Sequence, residues 1–184
     1  LAMASVAGGV DIEEVAATVS EALAAAGVTA VLSGGAVVQI YSEGLYMSHD
    51  LDFVSPAGHR ELDAVLHALG FTRASGRHYI HASCPYTLEF PPWPLAVGRE
   101  LIRDWAELPV GNMKVRILTP TQCVMDRLAA FYFWRDRQAL DQAVLVAIRH
   151  PVDLAHVERW SRNEGHGEHF EEFAVALAHA REGN

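Results

Sequence analysis

The sequence predicts an α+β fold: a small mixed sheet flanked by helices over residues 1–118, then a C-terminal helical segment over 119–184 packed on it. Three observations predict this. Helix-like and strand-like stretches alternate from Asp11 to Leu118. Phe71 to Phe90 and Met113 to Leu118 have the alternation of half-buried strands. From Thr119 onward the apolar spacing is helical throughout.

Asp11 to Gly27 opens the chain of elements. Asp11 can cap a helix, Glu13 and Glu14 suit the positive end of its dipole, and Val15, Val19, Leu23 and Ala24 form one apolar stripe. Gly27 stops it. Val28 to Leu32 reads as a buried strand, Ser33-Gly34-Gly35 breaks it, and Ala36 to Tyr41 reads as a short helix. A second strand is expected over about His49 to Ser55. After Pro56 a helix runs to about Leu69, with Leu62, Val65, Leu66 and Leu69 on one face. His78 to His81 and Tyr86 to Phe90 are expected to pair as a hairpin around Ser83, Cys84 and Pro85. Pro91, Pro92 and Pro94 end that run, because proline donates nothing to a sheet ladder. Residues 95 to 112 give no single pattern. Thr119-Pro120 is a helix opening, cap then first-turn proline. Further helices are expected over Arg137 to Arg149, Asp153 to Arg162 and Glu168 to Arg181.

Composition bounds the function. The 184 residues are 51% hydrophobic and 20% charged, which excludes disorder. The formal net charge of −9 argues against holding nucleic acid by bulk phosphate neutralisation. No apolar run approaches the roughly 18–20 residues of a membrane span. Leu1 to Val10 is short and apolar but lacks a basic region, so it does not read as a secretory signal. Cys84 and Cys123 are isolated, which fits a reducing, cytoplasmic setting. Without an HExxH pattern or a cysteine partner, the ten histidines point to no zinc site. Phe131, Phe133, Trp134 and Trp160 are expected to pack helices, and Cys123 to be a small buried residue.

The chemistry lies in Ser33-Gly34-Gly35 and Asp50-Leu51-Asp52-Phe53. Residues two apart on a strand share a face, so Asp50 and Asp52 point one way while Leu51 and Phe53 enter the core. Neighbouring carboxylates repel unless a cation or a shared proton intervenes. Mg²⁺, or Mn²⁺ in its place, takes one or two carboxylates plus substrate phosphates. Glycines before a short helix let backbone approach an anion, and the free N–H groups attract it. Glu89, flanked by Leu88 and Phe90 at the opposite parity, completes a three-carboxylate cluster if its strand lies beside that of Asp50. Plainer readings stand beside these: a solvated strand face for the aspartates, a tight turn for the glycines, a surface acid for Glu89.

A strand ending in Gly34-Gly35, a short helix, then Ser48-His49-Asp50-Leu51-Asp52-Phe53 resembles the DNA polymerase β-like nucleotidyltransferase superfamily. The likeness is to its small AbiEii-like, toxin–antitoxin-type proteins, and it runs over about residues 11 to 149. It takes in Leu118-Thr119-Pro120, Asp126-Arg127-Leu128-Ala129-Ala130 and Arg135-Asp136-Arg137 before Asp141. The resemblance implies a minimal nucleotidyltransferase fold. It also implies transfer of an NMP from an NTP to a hydroxyl acceptor, RNA, tRNA or protein, with pyrophosphate release. Asp50, Asp52 and Glu89 would be catalytic and metal-binding. Ser33, Gly34, Gly35 and Ser48 would hold the nucleotide. Tyr46 and Met47 stand where relatives often carry an arginine, and Met125 and Asp126 where toxin-type relatives often carry a lysine; Arg127 and Lys114 are the basic residues on offer instead. These departures favour a second reading, a catalytically degenerate relative that senses nucleotide or binds a partner.

Overall fold

The computed structural model describes residues 11–183; Leu1 to Val10, where the signal question arose, lies outside the described residues. Helix α1 (Ile12–Ala25) begins at Asp11, whose side chain accepts from the Glu13 amide at 3.0 Å. Gly27, at φ 74°, ends it, and the Val28 amide turns back to the Leu23 carbonyl at 2.9 Å. That cap consumes the start of the expected strand. Strand β1 is therefore Val31–Ser33, and α2 (Gly34–Tyr41) follows with no intervening loop. Next come β2 (Asp50–Val54), α3 (His59–Ala68), β3 (Thr72–Ser75), β4 (His78–His81) and β5 (Cys84–Glu89). The hairpin of β4 and β5 is antiparallel, as expected.

Residues 95 to 112 contain three strands that the sequence pattern hid: β6 (Ala96–Val97), β7 (Glu100–Leu101) and β8 (Ala106–Val110). β8 carries Pro109, which its place at the sheet edge tolerates. It pairs with β9 (Met113–Ile117). The main sheet has the order β3-β4-β5-β2-β1-β9-β8, with β1 antiparallel to β2 and parallel to β9. The chain ends in α4 (Pro120–Trp134), α5 (Arg137–Ala147), α6 (Leu154–Asn163) and α7 (Gly167–Glu182).

One hydrophobic core runs through both halves, from Leu32, Leu51, Phe53 and Leu88 in the sheet to Leu128, Phe131 and Phe173 in the helices. Helix α2 lies in its middle. It packs on β2 and β1 on one side and on α4 and α5 on the other. Two polar ties fix it: the Tyr41 hydroxyl donates to the Leu118 carbonyl at 2.7 Å, and His150 Nε2 donates to the Tyr41 carbonyl at 2.7 Å. Phe131 and Trp160 are buried as expected, but Trp134 is 82% and Phe133 49% exposed. Trp134 is the last residue of α4, and no layer lies beyond it. Among the described residues no helix is long and apolar enough to cross a membrane.

The start of α4 gives a first prediction. Thr119 Oγ1 accepts from the Gln122 amide at 3.3 Å, and Gln122 Oε1 accepts from the Thr119 amide at 2.8 Å, a reciprocal box. Thr119→Ala removes one half of it. Chemical denaturation should show a loss of about 1 kcal/mol with an unchanged m-value.

Candidate functional site

The site forms where β1 ends and α2 begins. Ser33 is the residue before α2, yet its hydroxyl does not cap the helix; it donates instead to the Asp52 carbonyl at 3.2 Å. The first amides of α2 therefore keep no side-chain cap from Ser33. Ser33 lies opposite Asp52 in the β1–β2 ladder, and Asp52 lies opposite Glu89 in the parallel β2–β5 ladder. Glu89 in turn lies opposite His78 on β4. Four strands thus contribute one transverse row: His78, Glu89, Asp52, Ser33. Asp50 sits two residues from Asp52, on the same face of β2. Leu51, Phe53 and Leu88 are fully buried on the other face.

The glycines make room for side chains. Gly34 has φ 72°, and a Cβ there would land on Asp52 Oδ2. A Cβ at Gly35 would meet Ser48 Oγ at 3.1 Å and the Tyr46 ring at 3.3 Å. Gly34 thus seats the Asp52 carboxylate over the helix start, and Gly35 seats the loop that carries Ser48. That loop is fixed from below: Gln39, buried on α2, accepts from the Ser48 amide at 2.7 Å, and Ser48 Oγ donates to the Asp50 carbonyl at 3.0 Å.

Asp52 carries the electrostatic signature. Burial, with Glu89, Asp126 and Asp50 around it, lifts its carboxyl from 3.8 to about 6; Arg127 pulls weakly the other way. Arg127 itself is committed: it pairs with Asp126 at 2.5 Å and donates to Gln142 at 3.3 Å. Lys114 stands on β9 and pairs with Glu107 of β8 at 3.1 Å, so it takes no part in the row. Glu89 Oε1 lies 2.9 Å from His78 Nδ1. Arg127 was on offer from the sequence as a basic residue for the site, but its pairing with Asp126, and His78 beside Glu89, were not expected. His78 comes opposite Glu89 only because the β4–β5 register shifts between Tyr79 and His81, and the sequence carries no signal for that shift.

Among the described residues, no group of three or more His, Cys, Asp or Glu is arranged to hold a metal ion. The donor set still fits a hard divalent cation. Asp50 and Asp52 offer carboxylate oxygens from one strand face, and burial together with neighbouring acids raises the Asp52 carboxyl despite Arg127. Mg²⁺ is commonly held by one or two carboxylates and completed by substrate phosphates.

No family model and no curated protein matches the chain. Solved structures do. An antigenic nucleotidyltransferase-like protein from Paracoccidioides brasiliensis aligns with a TM-score of 0.54 and 14% identity, over 74% of this chain and 73% of that one. The solution structure of the antibiotic-resistance factor ANT(2'')-Ia gives a TM-score of 0.49 at 15% identity, over 91% and 95% of the two chains. The crystal structure of ANT(2'')-Ia in complex with adenylyl-2''-tobramycin gives 0.45 at 13%, over 92% and 97%. On the first of these alignments, together with the mixed sheet and its flanking helices, the chain has the fold of a nucleotidyltransferase-like protein.

Proposed function

We propose that the protein is a metal-dependent nucleotidyltransferase that moves an NMP from an NTP to a hydroxyl acceptor and releases pyrophosphate. One observation carries the reading: Asp50 and Asp52 share a strand face with Glu89 in ladder register, beside the uncapped Gly34-Gly35 start of α2. Such a reaction is mostly positioning and charge neutralisation. Asp50 and Asp52 would hold Mg²⁺ or Mn²⁺, which when bound neutralises charge on the phosphates. The α2 amides and Ser48 orient the phosphates. Glu89 takes the proton of the attacking hydroxyl as its oxygen bonds to the α-phosphorus and the bond to the pyrophosphate oxygen breaks. Residues 1–118 supply these groups, and the helical segment 119–184 seals α2 from behind. The acceptor class is an RNA, tRNA or protein hydroxyl.

The test is thermal unfolding with each NTP, with and without Mg²⁺ or Mn²⁺, on wild type and Asp50→Ala. A ligand at about 100 times its Kd adds about 2.7 kcal/mol, which lifts the midpoint by roughly 5–10 °C for a chain of this size. The expected result is a metal-dependent rise with one NTP that Asp50→Ala lacks. A second reading, a degenerate relative that binds a partner, is favoured by the commitment of Arg127 to Asp126 and Gln142. No rise with any NTP at millimolar concentration would select it.

A further inference from the structure

Outside the acidic row, the start of α7 is held to the end of α4 by a stack of rings. His166 precedes the first residue of α7 and lies 4.9 Å from the Tyr132 ring at an interplanar angle of 19°. The Phe133 ring meets it edge-on at 5.0 Å. His169, one turn on, packs edge-on against Phe131 at 5.6 Å. The two imidazoles bond to each other, Nδ1 to Nδ1 at 3.3 Å. Arg135, in left-handed conformation just past α4, reaches His169 Nε2 at 2.8 Å.

These contacts leave one consistent proton arrangement. A guanidinium only donates, so His169 Nε2 must accept. Its proton is then on Nδ1, which donates to His166 Nδ1. His166 therefore keeps its own proton on Nε2. Both rings are neutral, and neither can gain a proton without breaking a bond. A proton on His166 Nδ1 opposes the His169 N–H, and a proton on His169 Nε2 expels Arg135.

We propose that this cluster is a proton-operated latch, which holds the start of α7 on α4 while both imidazoles are neutral and lets it go when either takes up a proton. The surrounding groups, taken together, agree with that direction. On α7 itself, a cation at His166 meets the positive end of the helix dipole, with Glu168 as its acidic neighbour. From the end of α4, Arg135 repels it. On the α6 side, Glu164 favours a cation at His166, but its carboxylate is shared with Arg99, accepting from the Arg99 amide at 2.9 Å and its Nε at 3.3 Å. Arg162 is engaged with Glu158 and Glu171. On the α5 side, Arg137 pairs with Glu172 at 2.8 Å. Burial and the adjacent His169 push the His166 imidazole below its ordinary value, with Arg135 adding to this and Glu164 opposing it. The sign follows. The unfolded chain binds the proton first, so the latch holds fully above about pH 6.5 and weakens as pH falls below it.

Hydrogen exchange of the α7 amides, corrected for intrinsic chemistry, tests this on the whole chain at pH 7.5 and 5.5. In wild type the protection of α7 should fall about tenfold while β1, β2 and β5 keep theirs. In His166→Asn/His169→Gln, which cannot titrate, the fall should shrink to within twofold. Nitrogen chemical shifts at pH 7.5 give a readout that needs no variant: His169 should carry its proton on Nδ1 and His166 on Nε2. Equal α7 protection at both pH values in wild type would overturn the latch. So would a variant that loses as much as wild type, or the reverse tautomers.

Discussion

Asp52→Asn should make the ligand-free protein more stable while removing the transfer reaction. Partial burial first, then Glu89, Asp126 and Asp50, lift the Asp52 carboxyl from 3.8 to about 6. At pH 7.5 the folded protein therefore keeps a charge in a place that resists it, a cost of about 2–3 kcal/mol by linkage. Asparagine fills the same space without the charge. The sign fixes a pH window. Below about pH 4 the aspartate is protonated in both states, so wild type and variant should differ little. As pH rises from 4 to 6 the folded state must give up a proton that it holds more tightly than the unfolded chain does, so wild type loses ground. Above pH 6 the gap is full. Denaturation midpoints across pH 3.5 to 8 would trace this curve. Under the proposed function the same variant loses on the order of a thousandfold in NMP transfer, because an uncharged amide cannot clamp phosphate charge through a cation. A flat stability difference across that range would mean that the carboxyl is not perturbed as described.

Gly34→Ala should do the opposite, destabilising the fold through the same carboxylate. The residue sits at φ 72°, where an L side chain costs about 1–2 kcal/mol. The added methyl also lands on Asp52 Oδ2, so the β2 carboxylate must move. The expected total is about 3 kcal/mol by equilibrium unfolding, together with loss of nucleotide-induced stabilisation. A double-mutant cycle separates the two causes. In an Asp52→Ala background the methyl meets no carboxylate, and the cost of Gly34→Ala should drop to about 1–2 kcal/mol, the backbone part alone. Equal costs in both backgrounds would show that Asp52 does not lean on Gly34.

Much of this site is legible in the residues themselves. The period of two in Asp50-Leu51-Asp52-Phe53 sets which side chains are buried and which face the site, and burial follows it. The parity of Glu89 allows a cluster, and the ladder brings it opposite Asp52. What stayed hidden is non-local. Gly34 reads as room for a phosphate, but the space belongs to the carboxylate of Asp52 on the neighbouring strand, and only pairing register reveals that. Strands β6 and β7 were missed because each is two residues long, and β8 because its proline argues against a strand although its residues alternate. Phe133 and Trp134 have the composition of a packing surface, yet the chain turns at Arg135 before any neighbour can cover Trp134.

The burial of α2 has a consequence for how the protein is made. Its outer face is covered by α4 and α5, and its last carbonyl is held by His150, 109 residues downstream. A nascent chain that has released only β1, α2 and β2 from the ribosome holds Asp50 and Asp52 but not Glu89, and α2 still lacks its backing. The ends that must meet are distant in sequence, so closure comes late and in one step with the C-terminal helices. The geometry of the acidic row should therefore mature only when synthesis is nearly complete, and the growing polypeptide should stay inert until then.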